Sequence, residues 1–368
     1  MKLRFNREEV AEVLSAICTV AAARTTKETL RSVRMEVQPD VVLFSATDLE
    51  VSLRCAATQV EVEEPGVALV VAETLAKIIR ECADELLRIE TIENLLHIHG
   101  RGTHFQIVTH DPAEFPPIPT MEGEPDISID GEALRRLVEW TAFAAAREST
   151  RYAINGVLWE AGEGGLTLAA TDGRRLSVAR GDLARRKTQG TRQVIVPPKA
   201  LSLFTRLPLA PGAQVGVQMT ANQLLLAAGS VFISTSLVEG NFPRYRDVIP
   251  SDCNRVVELG VAEFTGALKQ AALLTNEESK GVRFAFANGS LTLTSRAPEQ
   301  GEAEISLPVP YQGESIEIGF NPLYLLDVLR ATSVDRITFA FKEANRPGVV
   351  RAGEDFTYVV MPVNLASA

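Results

Sequence analysis

The stretch AATDGRRL, residues 169–176, places Asp172 on a turn between an apolar strand and two arginines. A carboxylate in this place can act as a nucleophile. It can also fix the turn, because Asp accepts hydrogen bonds from backbone amides just ahead of it and Gly173 tolerates a positive φ. The related stretch SATDLEVSL, residues 45–53, carries Asp48 in the same place without the glycine. Reuse of the carboxylate in a second turn favours an architectural role for Asp172.

The histidines are the second group of residues that could support chemistry. All four, His97, His99, His104 and His110, lie within one short segment. His97 and His99 share a face of a predicted strand, which makes a metal-binding pair conceivable. No Asp, Glu or Cys stands at a complementary sequence spacing, however. We therefore predict no metal site and no cofactor.

Other enzyme signatures are missing from the sequence. It has no G-x-x-x-x-G-K-[ST] loop and no G-x-S-x-G turn, and AGEGGL at 161–166 fits a hairpin turn better than a phosphate loop. The four cysteines, Cys18, Cys55, Cys82 and Cys253, are scattered without a C-x-x-C pair, as in a reduced compartment. These features favour a protein that is not an enzyme.

The charge of the chain is unevenly distributed. The net charge of −10 argues by itself against a nucleic-acid partner. Between Arg180 and Arg206, however, seven basic residues stand against one acidic residue, so a local basic surface is compatible with the sequence. Hydrophobic residues make up 46% and charged residues 23%, and we find no signal peptide and no apolar run of about 20 residues. We expect a cytoplasmic protein.

The chain of 368 residues repeats itself at intervals of 124 or 125. Three segments in which a predicted strand leads directly into a helix recur at this interval: VVAETLAKII from 70, IVPPKALSLF from 195 and GFNPLYLLDVL from 319. A period this long predicts repeated domains, each with its own core, rather than a solenoid. Segments rich in proline and acidic residues at 112–126 and 241–254 separate the copies.

Each copy contains the same order of elements twice, a short strand, a helix and three alternating strands. Asn6 and Asn321 are the expected N-caps of two of the helices, and Pro322 fits a first helical position. The sequence thus predicts an α+β protein of three domains, at 1–122, 126–250 and 254–368, each made of two β-α-β-β-β halves.

With its three repeats and the segments ATDGRRL, RYAINGVLWE, VEGNFPRYRDVIP and YVVMPV, the chain resembles the beta subunit of bacterial DNA polymerase III, the sliding-clamp family, over its whole length. The resemblance implies a head-to-tail homodimer that closes into a ring around duplex DNA, with helices lining the hole and sheets outside. It also implies a non-catalytic processivity factor, whose partners are the polymerase III catalytic subunit, the clamp loader and repair proteins. The alternatives are a β-rich scaffold that recruits partners without encircling DNA, and an enzyme built on Asp172.

The resemblance also implies roles for residues of this sequence. A partner-peptide pocket between the second and third domains would comprise Ile154, Thr171, Gly173, Arg174, Arg175, Leu176, Pro243, Asp247, Val248, Asn321, Tyr324, Val359, Val360, Met361, Pro362 and Val363. DNA would contact Arg24, Arg147, Tyr152 and Lys199, within a wider basic set that adds Lys77, Arg80, Arg135, Arg136, Arg151, Arg206 and Lys269. The dimer interface would pair Ile78, Arg101, Phe105 and Ile107 with Leu273, Leu274, Glu299, Glu302 and Glu304.

Three departures from the family pattern affect the expected pocket. Asp247 stands where the family often has Arg, and Arg174 replaces a more usual His. The chain also continues past MPV with residues 364–368, where the family typically ends in a basic-apolar pair. We expect a preference for peptides with a basic flank near Asp247.

Overall fold

The computed structural model describes residues 1–21, 25–148, 153–187, 190–275, 280–298 and 300–365, and these contain six α-helices and 26 strands. The first two halves and one added strand consist of β1 (Lys2–Asn6), α1 (Arg7–Ile17), β2 (Ser32–Gln38), β3 (Val41–Thr47), β4 (Val51–Ala57), β5 (Val60–Glu64), β6 (Gly66–Val71), α2 (Ala72–Glu81), β7 (Leu86–Ile92), β8 (Leu95–Gly100) and β9 (Thr103–Val108).

The second pair of halves also carries one added strand. It consists of β10 (Ile127–Asp130), α3 (Gly131–Thr141), β11 (Val157–Gly162), β12 (Gly165–Thr171), β13 (Arg175–Gly181), β14 (Arg185–Arg186), β15 (Arg192–Val196), α4 (Pro198–Arg206), β16 (Gln214–Met219), β17 (Gln223–Ala228) and β18 (Val231–Ser236).

The third pair of halves has no added strand. It consists of β19 (Arg255–Gly260), α5 (Val261–Ala271), β20 (Val282–Ala287), β21 (Ser290–Ala297), β22 (Gly301–Pro308), β23 (Ile316–Phe320), α6 (Pro322–Ala331), β24 (Arg336–Phe341), β25 (Gly348–Ala352) and β26 (Phe356–Val360). The predicted order of six β-α-β-β-β halves is confirmed. The two added strands, β5 and β14, were missed, because one is mostly charged and the other has only two residues.

Within each pair, the two halves exchange their first strands. The first strand of one half pairs antiparallel with the second strand of the other: β1 with β7 and β6 with β2, β10 with β16 and β15 with β11, β19 with β24 and β23 with β20. The same exchange occurs in all three pairs of halves. The backbone pairing therefore repeats three times, as the sequence does.

The strands form four sheets. Their orders are β5-β1-β7-β8-β9, β14-β10-β16-β17-β18-β4-β3-β2-β6, β15-β11-β12-β13-β26-β25-β24-β19 and β22-β21-β20-β23. The two larger sheets arise where the last strands of two halves pair antiparallel, β18 with β4 and β13 with β26. The last strands of the remaining two halves, β9 and β22, are outer strands of the five-stranded and four-stranded sheets.

Contacts between α-carbons divide the chain into two compact units. The first comprises 1–134, 183–189 and 199–237 and holds the five-stranded and nine-stranded sheets. The second comprises 135–182, 190–198 and 238–368 and holds the other two. In the first unit α1 packs against α2 over a core that includes Leu3, Phe5 and Leu14. In the second, α5 packs against α6 near a cluster of buried rings that includes Phe286 and Phe341, with centroids 4.5 Å apart.

Local capping chemistry explains two of the helix starts. Asn6 accepts a hydrogen bond from the Glu9 amide at 3.1 Å, and Asn321 accepts one from the Leu323 amide at 3.0 Å, with Pro322 at the first helical position. Both predicted caps are confirmed. Among the described residues, no helix is long and apolar enough to cross a membrane.

Candidate functional site

The turn between β12 and β13 is held by Asp172. Its Oδ1 accepts hydrogen bonds from the backbone amides of Arg174 at 3.0 Å and Arg175 at 3.1 Å. Gly173, between Asp172 and Arg174, has φ +86°, a conformation that residues with a side chain rarely adopt. The carboxylate is therefore bound to its own turn, as the architectural interpretation predicts.

The earlier copy of this turn has the same geometry. Asp48 Oδ1 accepts from the amides of Glu50 at 3.0 Å and Val51 at 2.8 Å, and Leu49 takes the left-handed conformation at φ 79°. The second oxygen of Asp48 accepts from Lys199 Nζ. A lysine expected to contact DNA is thus engaged in an ion pair, although 55% of its side chain remains exposed.

Arg175 makes three side-chain hydrogen bonds in the site. Its Nε donates to Asp172 Oδ2 at 3.0 Å, one terminal nitrogen donates to Asp327 Oδ2 at 2.7 Å, and the other donates to the Phe143 carbonyl at 3.0 Å. The guanidinium also lies over the Tyr324 ring, 4.6 Å from its centroid. With 10% of its side chain exposed, Arg175 joins β13, α6 and the turn after α3.

Burial and ion pairing act in opposite directions on the pKa of Arg175. Burial lowers it, but the hydrogen bond that Arg175 donates to Asp327 and the nearby Asp172 charge outweigh burial, so the pKa is raised. The guanidinium is therefore a permanent cation. Beside it, Tyr358 donates its hydroxyl to the Tyr324 carbonyl at 2.8 Å, and burial raises the pKa of that phenol.

A second buried anchor holds the segment Tyr245–Val248, a short 3-10 turn. Glu160, on β11, is 5% exposed and accepts from the Tyr245 hydroxyl, the Gln193 amide and both terminal nitrogens of Arg246, at 2.6 and 3.2 Å. Burial, then the contact with Glu160, raises the pKa of Tyr245. Because this turn is tied to β11, Asp247 and Val248 are presented to a neighbouring cavity.

That cavity has a volume of about 620 Å³ and lies within the second unit. It brings together eleven of the sixteen residues predicted for the pocket: Ile154, Thr171, Gly173, Arg174, Arg175, Leu176, Pro243, Asp247, Val248, Val359 and Met361. Ten further lining residues were missed: Arg244, Tyr245, Ile249, Pro250, Asp252, Cys253, Lys342, Asn345, Arg346 and Pro347.

A second cavity of about 660 Å³ shares Arg174 and Arg175 with the first. It takes in three more predicted residues, Asn321, Tyr324 and Val363. Its other lining residues are Phe143, Ala145, Ala146, Arg147, Asp172, Lys280, Leu323 and Asp327. Both linings combine apolar and charged side chains: the first includes five cations and two carboxylates, and the second includes four cations and two carboxylates.

Two predicted pocket residues line neither cavity. Val360 is fully buried and, by strand alternation, faces away from the side on which Val359 and Met361 line the cavity, so its role in the pocket stays a prediction. Pro362 is half-buried and also lies outside both linings.

The missed lining residues fall into two classes. Arg244, Tyr245 and Ile249 flank predicted residues in the linker at 241–254, so the linker itself was the available signal. Lys342 and Arg346 come from the loop between β24 and β25, and no motif in the sequence connects this loop to the pocket. Lys342 binds Asp252 at 2.7 Å, and that hydrogen bond lowers the pKa of the Asp252 carboxyl.

The remaining predicted residues lie apart from this site or outside the description. Arg24, Tyr152 and Glu299 are outside the described residues, as is Arg151. Arg147 is exposed and lines the second cavity. In the first unit, Ile78 is half-buried on α2, and Arg101, Phe105 and Ile107 lie on or beside β9. In the second unit, Leu273 is 77% exposed, Leu274 is half-buried, and Glu302 and Glu304 are exposed on β22.

Replacing Arg175 by lysine is expected to lower the free energy of unfolding by about 2 kcal/mol or more, because lysine cannot bond both carboxylates and the Phe143 carbonyl at once. Arg174→Lys, at an exposed neighbouring position, is the matched control and should change it by less than about 0.5 kcal/mol. Urea unfolding measures both. Equal stability of the two variants would contradict the anchoring role of Arg175.

Known protein families match almost the whole chain. Three family models match successive parts of the chain: the N-terminal domain of the DNA polymerase III beta subunit over 1–119, the central domain over 128–244 and the C-terminal domain over 246–364. The chain is 33% identical to the beta sliding clamp of Pseudomonas aeruginosa and 32% identical to that of Vibrio cholerae. Each alignment covers 99% of this chain and 100% of the relative.

Solved structures give the same result. The DNA polymerase III subunit beta from Pseudomonas aeruginosa superposes with a TM-score of 0.93 at 32% identity, covering 99% of this chain and 100% of that one. The sliding clamp from Bacillus subtilis superposes with a TM-score of 0.92 at 25% identity, covering 99% of each chain. With all three domain models matched in order, this chain has the three-domain clamp fold and belongs to the family of DNA polymerase III beta subunits, the beta sliding clamps.

Proposed function

We propose that two copies of this chain join head to tail into a ring that encircles duplex DNA and tethers the replicative polymerase to it. The protein acts as a processivity factor and catalyses no reaction itself. The observation that carries the proposal is the pair of outer strands, β9 and β22. Four of the six halves bond their last strand to another half, whereas these two do not do so within the described chain.

The strand counts support pairing of β9 with β22 of a second copy. The five-stranded sheet ending in β9 and the four-stranded sheet ending in β22 would together make nine strands, as in the sheet already joined by β18 and β4. Both existing joints are antiparallel, so we expect the same direction here. Pairing would also satisfy backbone groups that an open edge leaves exposed. Since the two edges belong to different parts of the chain, the contact is head to tail, and two such contacts close a ring.

The side chains at the two edges are complementary. Phe105 is 37% exposed on β9, and Leu273 is 77% exposed in the turn after α5. Arg101 precedes β9, whereas β22 carries the exposed carboxylates of Glu302 and Glu304. Apolar contact favours association, and the opposite charges favour this orientation over its reverse.

We infer that DNA is held through its phosphates and without base readout, since a clamp has to slide. Arg24, Arg147, Tyr152 and Lys199 are the proposed contacts. Lys199 already neutralises Asp48, so its contribution would be smaller than that of an unpaired lysine. The domain boundaries at 122–126 and 250–254, and the cytoplasmic location, are part of the same proposal.

We propose that the two adjoining cavities of the second unit bind short extended peptides from the polymerase III catalytic subunit, the clamp loader and repair proteins. Support comes from their chemistry. Leu176, Val359 and Met361 provide an apolar floor for peptide side chains in the first cavity, and methionine adapts to different partners. Arg174 and Arg175 border both cavities, so one peptide could lie across them.

Retention on closed circular DNA tests the ring. The protein is reassembled from dilute solution with covalently closed duplex circles, half of the sample is linearised, and both halves are separated by gel filtration. We expect the protein to elute with the circles and to be lost from the linear DNA, because only a topological link depends on free ends. A scaffold that binds no DNA would elute apart from both.

A double substitution at the proposed joint sharpens this test. Leu273→Ala with Leu274→Ala should abolish retention on circles and shift sedimentation towards the monomer, because it removes apolar contact at the joint. Leu86→Ala, at a 60% exposed leucine at the start of β7, should behave like the unsubstituted protein. Retention of the double variant, or equal retention on linear and circular DNA, would contradict the proposal.

Peptide preference tests the pocket. Two labelled peptides that differ only in carrying a basic or an acidic flank are titrated by fluorescence anisotropy. Asp247 is exposed and its Oδ2 lies 3.8 Å from Arg244 Nε, so we expect the basic flank to bind at most about fivefold more tightly, and less so at high salt. Asp247→Asn should remove the difference and Asp40→Asn, in the other unit, should keep it. Equal affinities in the unsubstituted protein would exclude this preference.

A further inference from the structure

Three histidines meet on the hairpin of β8 and β9. His97 and His99 lie on one face of β8, and His104 on β9 is the direct cross-strand partner of His99. One ring nitrogen of each histidine lies within 4.8 Å of one nitrogen of each of the others. The nitrogens His97 Nδ1 and His104 Nε2 are 3.0 Å apart.

Strand pairing adds a carboxylate to this group. Glu90 on β7 is the cross-strand partner of His97, so its side chain lies on the same face of the sheet. Its Oε1 is 3.3 Å from His99 Nε2. That nitrogen is shielded from solvent and makes no hydrogen bond, so its contact with the carboxylate is one of distance only.

We propose that His97, His99, His104 and Glu90 bind one divalent first-row transition-metal ion, with Zn²⁺ as the reference ion. Three imidazole nitrogens and one carboxylate oxygen form a donor set that suits Zn²⁺, Ni²⁺ or Cu²⁺ rather than Mg²⁺ or Ca²⁺. For ligands about 2.0–2.1 Å from a tetrahedral ion, two donor atoms are separated by about 3.3 Å. The His99–Glu90 separation has this value, and the His97–His104 separation is 0.3 Å shorter.

Two features limit the affinity of the site. The three rings are stacked, with interplanar angles of 8–20°, so they must turn about their side-chain bonds before their lone pairs converge on one ion. His104 is exposed, but its Nε2 shares a hydrogen bond with His97 Nδ1, and this bond must break before both nitrogens bind the ion. In addition, Arg88 donates to Glu90 Oε2 at 3.1 Å, which leaves Oε1 for the metal but reduces the negative charge of the carboxylate.

Calorimetric titration of the full chain with Zn²⁺ tests the site. The protein must carry no polyhistidine tag, because a tag binds the same ions. We expect one ion to bind per chain. His99→Asn or His104→Asn should weaken the affinity for Zn²⁺ at least about tenfold, and Glu90→Gln should weaken it about tenfold. His110→Asn is the matched control. It removes the fourth histidine and keeps the cluster and all four cysteines, so binding should be unchanged.

Thermal unfolding gives a second measure. Zn²⁺ should raise the melting temperature of the unsubstituted protein and of His110→Asn, but not of His104→Asn, because binding to the folded state stabilises it. All variants should melt alike in EDTA, which establishes that they fold. No binding by the unsubstituted protein, or binding that survives His99→Asn and His104→Asn, would overturn the proposal. The result does not depend on the ring, because all four donors belong to one chain.

Discussion

The fold depends on the pairing of strand edges. Each half of the clamp fold ends in a strand whose outer backbone groups need hydrogen-bond partners, and antiparallel pairing of β18 with β4 and of β13 with β26 supplies them for four of the six halves. The exchange of first strands within each pair of halves satisfies the inner edges in the same way. Under the proposed function, a second copy completes the series at β9 and β22.

Two buried charges organise the candidate site within this framework. Arg175 fastens the turn after β12 to α6, and Glu160 fastens the linker turn at Tyr245–Val248 to β11. Each has several partners, as buried charges require when they are removed from water. The hydrogen bonds of these two anchors hold the backbone segments that place Arg174, Leu176 and Val248 around the first cavity. Under the proposed function, fixed surroundings would add specificity to peptide recognition through an adaptable residue such as Met361.

The sequence predicted what local chemistry determines. The caps at Asn6 and Asn321 and the turn at Asp172 depend on hydrogen bonds within a few residues, and the repeat interval revealed the six halves. Features that depend on pairing between distant strands could not be predicted this way. Glu90 joins the histidines only because β7 lies beside β8, and Lys199 meets a carboxylate 151 residues away. Fourteen of the sixteen residues that the resemblance to the clamp family named line the two cavities, but the inward position of Val360 and the loop that carries Lys342 required the structure.

Hydrogen exchange at β9 and β22 tests the central claim most directly, since it measures whether those edges are paired. In the assembled protein, we expect slow exchange of outward-facing amides in both Thr103–Val108 and Gly301–Pro308. Both strands should lose protection together in the Leu273→Ala, Leu274→Ala variant, while β4 and β18 remain protected. Rapid exchange of the β9 and β22 edge amides in the assembled protein would contradict the account.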